Sequence, residues 1–593
     1  MNTKNNLIKI AADHSKDDIV SRAAQNSRAP WLEHYGDLPK SIDYPDISMV
    51  DFLEETARKY PNLKAYEFMD KSTVYRQFMS QIHQCAKALR ATGIREGDKV
   101  TICLPNTPQA IIMFYAVNMI GALSNMIHPL SSEGEIKFYL NDSDSVAAIT
   151  LDAFYGKFAN IRSETGLRFL IITGIDDFLS PLKKIGFKAT AGRKIKKIPK
   201  DADIIRWQEF FARGMHYTKP YKTEKKGNDP AVILYSGGTT GKTKGILLSN
   251  LNFNALAMQT ASSGDCIIPG HIMLAIMPVF HGFGLGIGIH TGLTHACRCL
   301  LVPKFNAQSY AKLLKKKKPN YIAGVPTLYE ALLRNEHMDG VDLSCLEGMF
   351  SGGDSLSIEL KKKVDAFLKE HNATVQVREG YGTTECVTAS CLTPKSFYKE
   401  GSIGIPFPDT HYKIVKPSTC TEVEYGELGE ICISGPTVML GYVGQDEETA
   451  DTLKMHEDGR TWLHTGDLGS MDAQGFIYFK QRLKRMIVSS GYSIYPSQLE
   501  NIIDSHRDVL MSTVIGVSDP YKMQKVKAFV VLRPDILPTE EVKQDIYNYC
   551  AKNIAKYAMP YEFEYRESLP TTLVGKIAYT VLEAEERARA ANE

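Results

Sequence analysis

The stretch "AVILYSGGTTGKTKGILLSN" (Ala231 to Asn250) decides how the chain is read. A glycine, threonine and lysine loop after an apolar strand usually holds phosphate. The Walker A pattern, G-x-x-x-x-G-K-[ST], is matched at its end by Gly241-Lys242-Thr243, but its first glycine falls on Ser236. A Walker loop also opens a helix. This one runs into the short aliphatic run "GILL", bounded by Ser249 and Asn250, so a strand-loop-strand hairpin is expected, with a helix starting only around "NLNFNALAM". The P-loop fold is rejected, while the phosphate reading survives. Gly237, Gly238 and Gly241 let backbone N–H groups turn inward around an anion. Ser236, Thr239 and Thr240 add hydroxyl donors, and Lys242 and Lys244 add charge.

Outward from the loop, the chain alternates helix and strand. "DKVTICL" (Asp98 to Leu104), "SVAAITL" (Ser145 to Leu151) and "RFLIITG" (Arg168 to Gly174) read as strands. "AIIMFYAVNMIGAL" (Ala110 to Leu123) is interrupted by Asn118 and too short to span a bilayer, so it reads as a buried helix. The rhythm predicts an α/β fold: a large N-terminal region of mainly parallel sheets covered by helices. From His411 short β runs alternate with turn residues, which predicts a small β subdomain from about residue 410. A compact tail follows, with a helix near Pro496, strands at "STVIGV" and "KAFVVL", and a helix after Thr539. The expected division is residues 1–481, a connection at 482–485, and a small α+β C-terminal domain at 486–593.

The chain has 593 residues, of which 44% are hydrophobic and 23% charged, the composition of an ordinary globular protein of several lobes. A net charge of +2 gives no global case for nucleic acid. Eleven scattered cysteines without a C-x-x-C pair read as reduced thiols in a cytosolic protein. The N-terminal residues carry no secretory signal pattern. Residues 182–200 hold eight Lys or Arg and no acid, interleaved with Ile185, Phe187, Ile195 and Ile198. Two readings stand: a solvated surface insertion, or a patch that touches anionic lipid at the inner face of a membrane. Oligomeric state is not legible.

"YSGGTTGKTKGILLSN" resembles the phosphate loop of the adenylate-forming (ANL) superfamily, which holds acyl-CoA synthetases, firefly luciferase and peptide-synthetase adenylation domains. Its Gly-Gly variant is similar to bacterial fatty acyl-CoA ligases. The family usually has Pro where this chain has Thr243, and often His where it has Asn250. The resemblance runs from about Leu53 to Ala578 through several motifs in order. "MPVFHGFGLG" resembles the turn beside the acyl carboxylate. It brings His281, and glycines at 282, 284, 286 and 288 that either leave room for a ligand or pack a helix on a sheet. "FSGGDSLS" resembles the turn beside adenine, with Gly353 and an Asp354 where Ala is frequent. In "REGYGTTE", Tyr381 offers a flat face to adenine, Gly382 follows it, Thr384 is placed to donate to phosphate, and Glu385 is the expected Mg²⁺ ligand.

In "WLHTGDLG" the resemblance implies that Asp467 accepts both ribose hydroxyls. In "QRLKRMIVSSGYSIYP" it implies a ribose and phosphate role for Arg482, with Gln481 in place of a frequent Gly, and a hinge at Lys484 about which a mobile C-terminal lid turns. The "SSGYS" loop, with Gly491 and Tyr492, would face a thiol tunnel, and Lys576 in "SLPTTLVGKIAY" matches the catalytic lysine. The resemblance thus implies ATP, Mg²⁺ and coenzyme A. The expected activity is an AMP-forming acyl-CoA synthetase acting on a carboxylic acid, with medium- or long-chain fatty acids favoured. Delivery to a carrier-protein thiol and an aromatic or sterol acid substrate remain open alternatives.

Overall fold

The computed structural model describes residues 29–195, 198–199, 203–237, 243–489, 492–519, 521–572 and 576–592. Within these, Lys99–Cys103 pairs in parallel with Leu123–Met126 on one side and Ser145–Leu151 on the other. Phe169–Thr173 and Ile204–Arg206 extend that sheet outward. On its other flank lies Pro230–Gly237, parallel to Leu123–Met126 and antiparallel to Thr243–Ser249. The loop between those last two strands lies outside the described residues, but its frame is the hairpin expected from the sequence. A helix follows only at Asn250–Gly264.

A second sheet runs in parallel from Lys64–Phe68 through Arg298–Leu301, Ile272–Ala275, Tyr321–Gly324 and Gly348–Ser351 to Val377–Tyr381. One apolar core joins both sheets and the helices between them. Pro108–Met119 is buried along its whole length, as a helix apolar on all sides must be. Its Asn118 amide is satisfied there: it donates to Asn250 Oδ1 at 2.7 Å and accepts from the Val50 amide at 3.0 Å. Asn250 also donates to the Lys226 carbonyl at 2.9 Å, so its role in this chain is to tie elements together.

The turn after Ile272–Ala275 leads into Phe283–Thr291, which is a π-helix, not the simple turn the sequence suggested. π-turns are rare and cluster at functional sites. Glycine permits this one. A β-carbon at Gly282 would fall 1.7 Å from the Val387 carbonyl, at Gly284 2.1 Å from the Pro278 carbonyl, and at Gly286 2.6 Å from Leu256. Those three glycines therefore serve packing, and Gly288 alone of the four has space.

The β subdomain is a sheet of His411–Val415, Gly429–Ser434, Thr461–Met471 and Leu453–Met455, with Ile477–Arg482 along Thr461–Met471. After a short 3₁₀ turn at Leu483–Arg485, the strands Ile487–Ser489, Tyr492–Ile494, Val509–Asp519 and Met523–Leu532 build a separate sheet with its own core. The basic stretch forms a helix, Pro181–Ala189, and Ile198 turns inward at 5% exposure. Leu182 and Ile185 face solvent at 84% and 68% exposure.

Candidate active site

Two parallel strands deliver the site from their C-terminal ends, the usual place for a ligand in an open α/β sheet. Gly348–Ser351 ends in Gly352-Gly353-Asp354, and Val377–Tyr381 ends in Gly382 and the 3₁₀ turn Thr384–Cys386. Gly353 adopts φ +81°, which favours glycine. A β-carbon at Gly382 would sit 2.2 Å from the Thr388 carbonyl, so the chain folds back on itself there. Val387, β-branched, is held at φ +64° just after Glu385. Such strain persists only where surrounding structure enforces it, and it collects at ligand sites. Between this turn and the π-helix lies a small cavity lined by Thr260, Phe283, Ile287, Phe350, Leu392 and Phe407, among others.

Tyr381 donates through its hydroxyl to Asp467 Oδ2 at 2.6 Å. Arg482 is the cross-strand partner of Asp467, and its Nε lies 3.5 Å from Asp467 Oδ1. That Oδ1 is buried and accepts no hydrogen bond from the described residues. Burial pushes the Asp467 carboxyl above its ordinary value, and the Arg482 charge and the Tyr381 hydroxyl oppose the rise. Glu385 Oε1 accepts from the Tyr442 hydroxyl at 3.0 Å. Lys244 sits 4.9 Å over the Tyr442 ring and pairs with Glu448. Tyr442 and Glu448 carry no motif in a single sequence, and reasoning from the sequence missed both.

Lys576 enters from the C-terminal domain. Its Cε comes within 3.5 Å of the place where a β-carbon on Gly353 would stand. Burial holds its ammonium below the ordinary value, the Asp354, Asp467 and Glu385 carboxylates oppose that, and Arg482 adds to it. His281 lies close by: burial, then the charge of Lys576, push it down to about 3, so it is neutral at physiological pH. Its Nδ1 accepts from the Phe283 amide at 3.2 Å, which leaves Nε2 carrying the proton. Asp354 is turned to the C-terminal domain, where Oδ2 accepts from the Ile577 amide at 3.3 Å.

The structure thus gathers Gly353, Asp354, Tyr381, Gly382, Glu385, Asp467, Arg482, His281 and Lys576 into one cleft. Ser236 and Lys244 stand at the two ends of the hairpin, Ser236 opposite Lys244 in register. Gly238, Thr239, Thr240, Gly241, Lys242 and Gly491 lie outside the described residues, as do the side chains of Lys484 and Tyr492. Glu385 is one half-buried carboxylate, bonded through Oε1 to Tyr442, beside a lysine-bearing hairpin. That suits Mg²⁺, which takes one or two carboxylates with phosphate oxygens and water.

A mainly parallel α/β body, a β subdomain and a separate C-terminal domain that brings a lysine to a carboxylate-bearing turn and an aspartate–arginine pair make up the architecture of an enzyme that activates its substrate with a nucleotide. The chain belongs to the AMP-binding enzyme family, whose pattern matches residues 53–443, with the AMP-binding enzyme C-terminal domain at 498–576. It is 34% identical to a long-chain-fatty-acid--CoA ligase of Bacillus subtilis over 94% of this chain and 98% of that one. It is 32% identical to one of Yersinia pestis, again over 94% and 98%. Among solved structures it is similar in fold to an anthranilate CoA ligase in complex with anthranoyl-AMP (TM-score 0.78, 24% identity, 94% of this chain and 99% of that one). It also resembles ATP-bound MatB from Rhodopseudomonas palustris (TM-score 0.78, 21% identity, 91% and 99%).

Proposed function

We infer that the protein is an AMP-forming acyl-CoA synthetase that joins a long-chain fatty acid to coenzyme A with ATP. The observation that carries the reading is the convergence of Lys576, from one domain, on Gly353 and the carboxylates of Asp354, Glu385 and Asp467. In the first step an oxygen of the acid's carboxylate attacks the α-phosphorus of ATP. The bond to the β-phosphate breaks, and acyl-AMP and pyrophosphate form. The nucleophile is already ionised, so no general base is needed; the obstacle is that one anion approaches another. Two unit charges 4 Å apart interact by about 1 kcal/mol in water and about 4 kcal/mol at an effective dielectric of 20. A positioned cation removes most of that cost, as in phosphoryl transfer generally.

Lys576 bridges the carboxylate and the α-phosphate. Asp467 Oδ1 takes the ribose hydroxyls, with Arg482 holding the carboxylate in its charged form. Tyr381 presents its ring to the base, and Gly382 keeps the turn close to it. Neutral His281 lies near Lys576, where it can neighbour the acid's carboxylate without adding charge. Glu385 would hold Mg²⁺, which would supply positive charge on the pyrophosphate side, where the hairpin from Ser236 to Lys244 and the Thr384 hydroxyl donate to the same oxygens.

In the second step the coenzyme A sulfur attacks the acyl carbonyl, the bond to AMP breaks, and the thioester forms. The C-terminal domain turns at Lys484 so that Gly491 and Tyr492 line the thiol's path. The exposed Leu182 and Ile185, beside Lys183 and Lys184, support peripheral contact with an anionic bilayer. Lys183 and Lys184 are partly offset by Asp70 at 2.8 Å and Asp176 at 3.6 Å, which weakens the contact.

A panel of carboxylic acids incubated with ATP and coenzyme A tests the reading. AMP and thioester should appear together, with long-chain acids preferred. Release of AMP without thioester, or activity confined to aromatic acids, would overturn it. Sedimentation with vesicles rich in phosphatidylserine tests the membrane contact, which fails if neutralising residues 194, 196 and 197 leaves binding unchanged.

A further inference from the structure

At the edge of the β subdomain, three side chains that the reaction does not use meet. His456 follows the strand Leu453–Met455, His464 lies on the adjoining strand Thr461–Met471, and Cys420 is on the exposed loop after His411–Val415. The Nε2 atoms of the two imidazoles are 3.0 Å apart, and the Cys420 sulfur lies within 4.8 Å of the ligating atoms of both. Both imidazoles are buried, at 5% and 9% exposure.

The hydrogen bonds fix which atoms are free to ligate. His464 Nδ1 is 3.0 Å from Glu430 Oε2, and Glu430 Oε1 accepts from the Gly466 amide at 3.0 Å. Glu430 accepts both of these bonds, so His464 Nδ1 carries the proton and Nε2 presents its lone pair to His456. A carboxylate behind the far nitrogen of a ligating histidine is the arrangement that orients metal-bound imidazoles. His456 Nε2 is therefore the donor of the bond between the two rings, and its proton moves to Nδ1 when the nitrogen ligates. Its Nδ1 is buried without a hydrogen-bond partner among the described residues, and its ring stacks on Trp462 at 5.6 Å. Lys413 and Lys454 also face this corner, and Asp458, 2.6 Å from Lys413, offsets one of them.

We propose that Cys420, His456 and His464 form a binding site for a borderline-soft divalent cation, zinc above all, with water as a fourth ligand. One thiolate and two imidazoles are the donors such an ion prefers over Mg²⁺. Tetrahedral zinc with Zn–N near 2.0–2.1 Å places two nitrogens about 3.3 Å apart. To admit it the imidazoles part by about 0.3 Å and turn their lone pairs to one point, and the Cys420 sulfur, on its exposed loop, closes to about 3.6 Å from each nitrogen. Through Glu430 and Gly466 the ion would brace the turn that carries Asp467, two bonds away from the nucleotide cleft.

Titration of chelator-treated full-length protein with Zn²⁺ against a chromophoric competitor, and with Co²⁺ followed by absorption, tests this. One equivalent should bind, and Co²⁺ should show a thiolate-to-metal charge-transfer band. Cys420→Ser should abolish the band, and Cys420→Ser and His456→Asn should each weaken Zn²⁺ at least tenfold, while Cys345→Ser leaves both readouts unchanged. Unaltered melting of Cys420→Ser, whose side chain is exposed, guards against misfolding. No binding beyond the competitor would overturn the site and leave a simple N–H···N bond between His456 and His464. Binding indifferent to both variants, or a spectrum without the thiolate band, would overturn it equally.

Discussion

Asp354 gives the sharpest quantitative handle on how the two domains cooperate. Its Oδ2 accepts from the Ile577 amide, next to Lys576, and its charge favours the protonated form of Lys576 and of Arg485. Hydrogen bonds to charged groups contribute about 1.5–3 kcal/mol. At 3.3 Å, and half-buried, this one belongs at the low end, about 1.5 kcal/mol. That is roughly a tenfold change in the population with the C-terminal domain docked for adenylation. Asp354→Ala is therefore expected to slow the first half-reaction about tenfold, measured as ATP–pyrophosphate exchange. Thioester formation from supplied acyl-AMP should be unchanged or faster, since it requires the domain to leave. Asp354→Asn should move the alkaline limb of adenylation to lower pH, because removing the carboxylate makes the Lys576 ammonium easier to deprotonate. If both half-reactions fall together, or neither falls, Asp354 does not latch the domain.

Three further outcomes follow from particular contacts. Glu385→Gln keeps an acceptor for Tyr442 but loses the carboxylate, so the Mg²⁺ concentration for half-maximal activity should rise about tenfold or more, read from activity against free Mg²⁺. Glu379 is pushed up to about 8 by burial, against an ordinary value of 4.5. The folded state holds that proton while the unfolded state loses it, so its contribution falls as pH rises from about 4.5 to about 8. Glu379→Gln should flatten the dependence of Tm on pH across that window, and an unchanged slope would contradict the assignment. Gly382→Ala places a β-carbon 2.2 Å from the Thr388 carbonyl, and should lower Tm and abolish adenylation together.

Much of the fold was legible because its signals are local. Strands such as Ser145–Leu151 and the buried helix Pro108–Met119 are uninterrupted apolar runs of characteristic length. The hairpin around the loop at 238–242 was legible for the same reason: "GILL" is too short to be a helix. The π-helix at Phe283–Thr291 was not, because its glycines are required by backbone neighbours far away in sequence, such as Val387. In the site, residues within motifs could be named, but their mutual bonds could not. Tyr381 read as a flat face for a base, yet its hydroxyl binds Asp467, 86 positions away. Asp354 read as part of the turn beside adenine, and the bond of its carboxylate to the C-terminal domain could not be read from its motif. Tyr442 and Glu448 were invisible because pairing with Glu385 and Lys244 is a property of the folded chain alone.

The account depends on the Lys576 ammonium acting in one half-reaction and not in the other. Separate measurement of the two half-reactions in Lys576→Ala tests that most directly. The expected result is a loss of pyrophosphate exchange on the order of a hundredfold or more, with conversion of supplied acyl-AMP to acyl-CoA near the unsubstituted rate. Exchange at the normal rate, or equal loss of both steps, would contradict it.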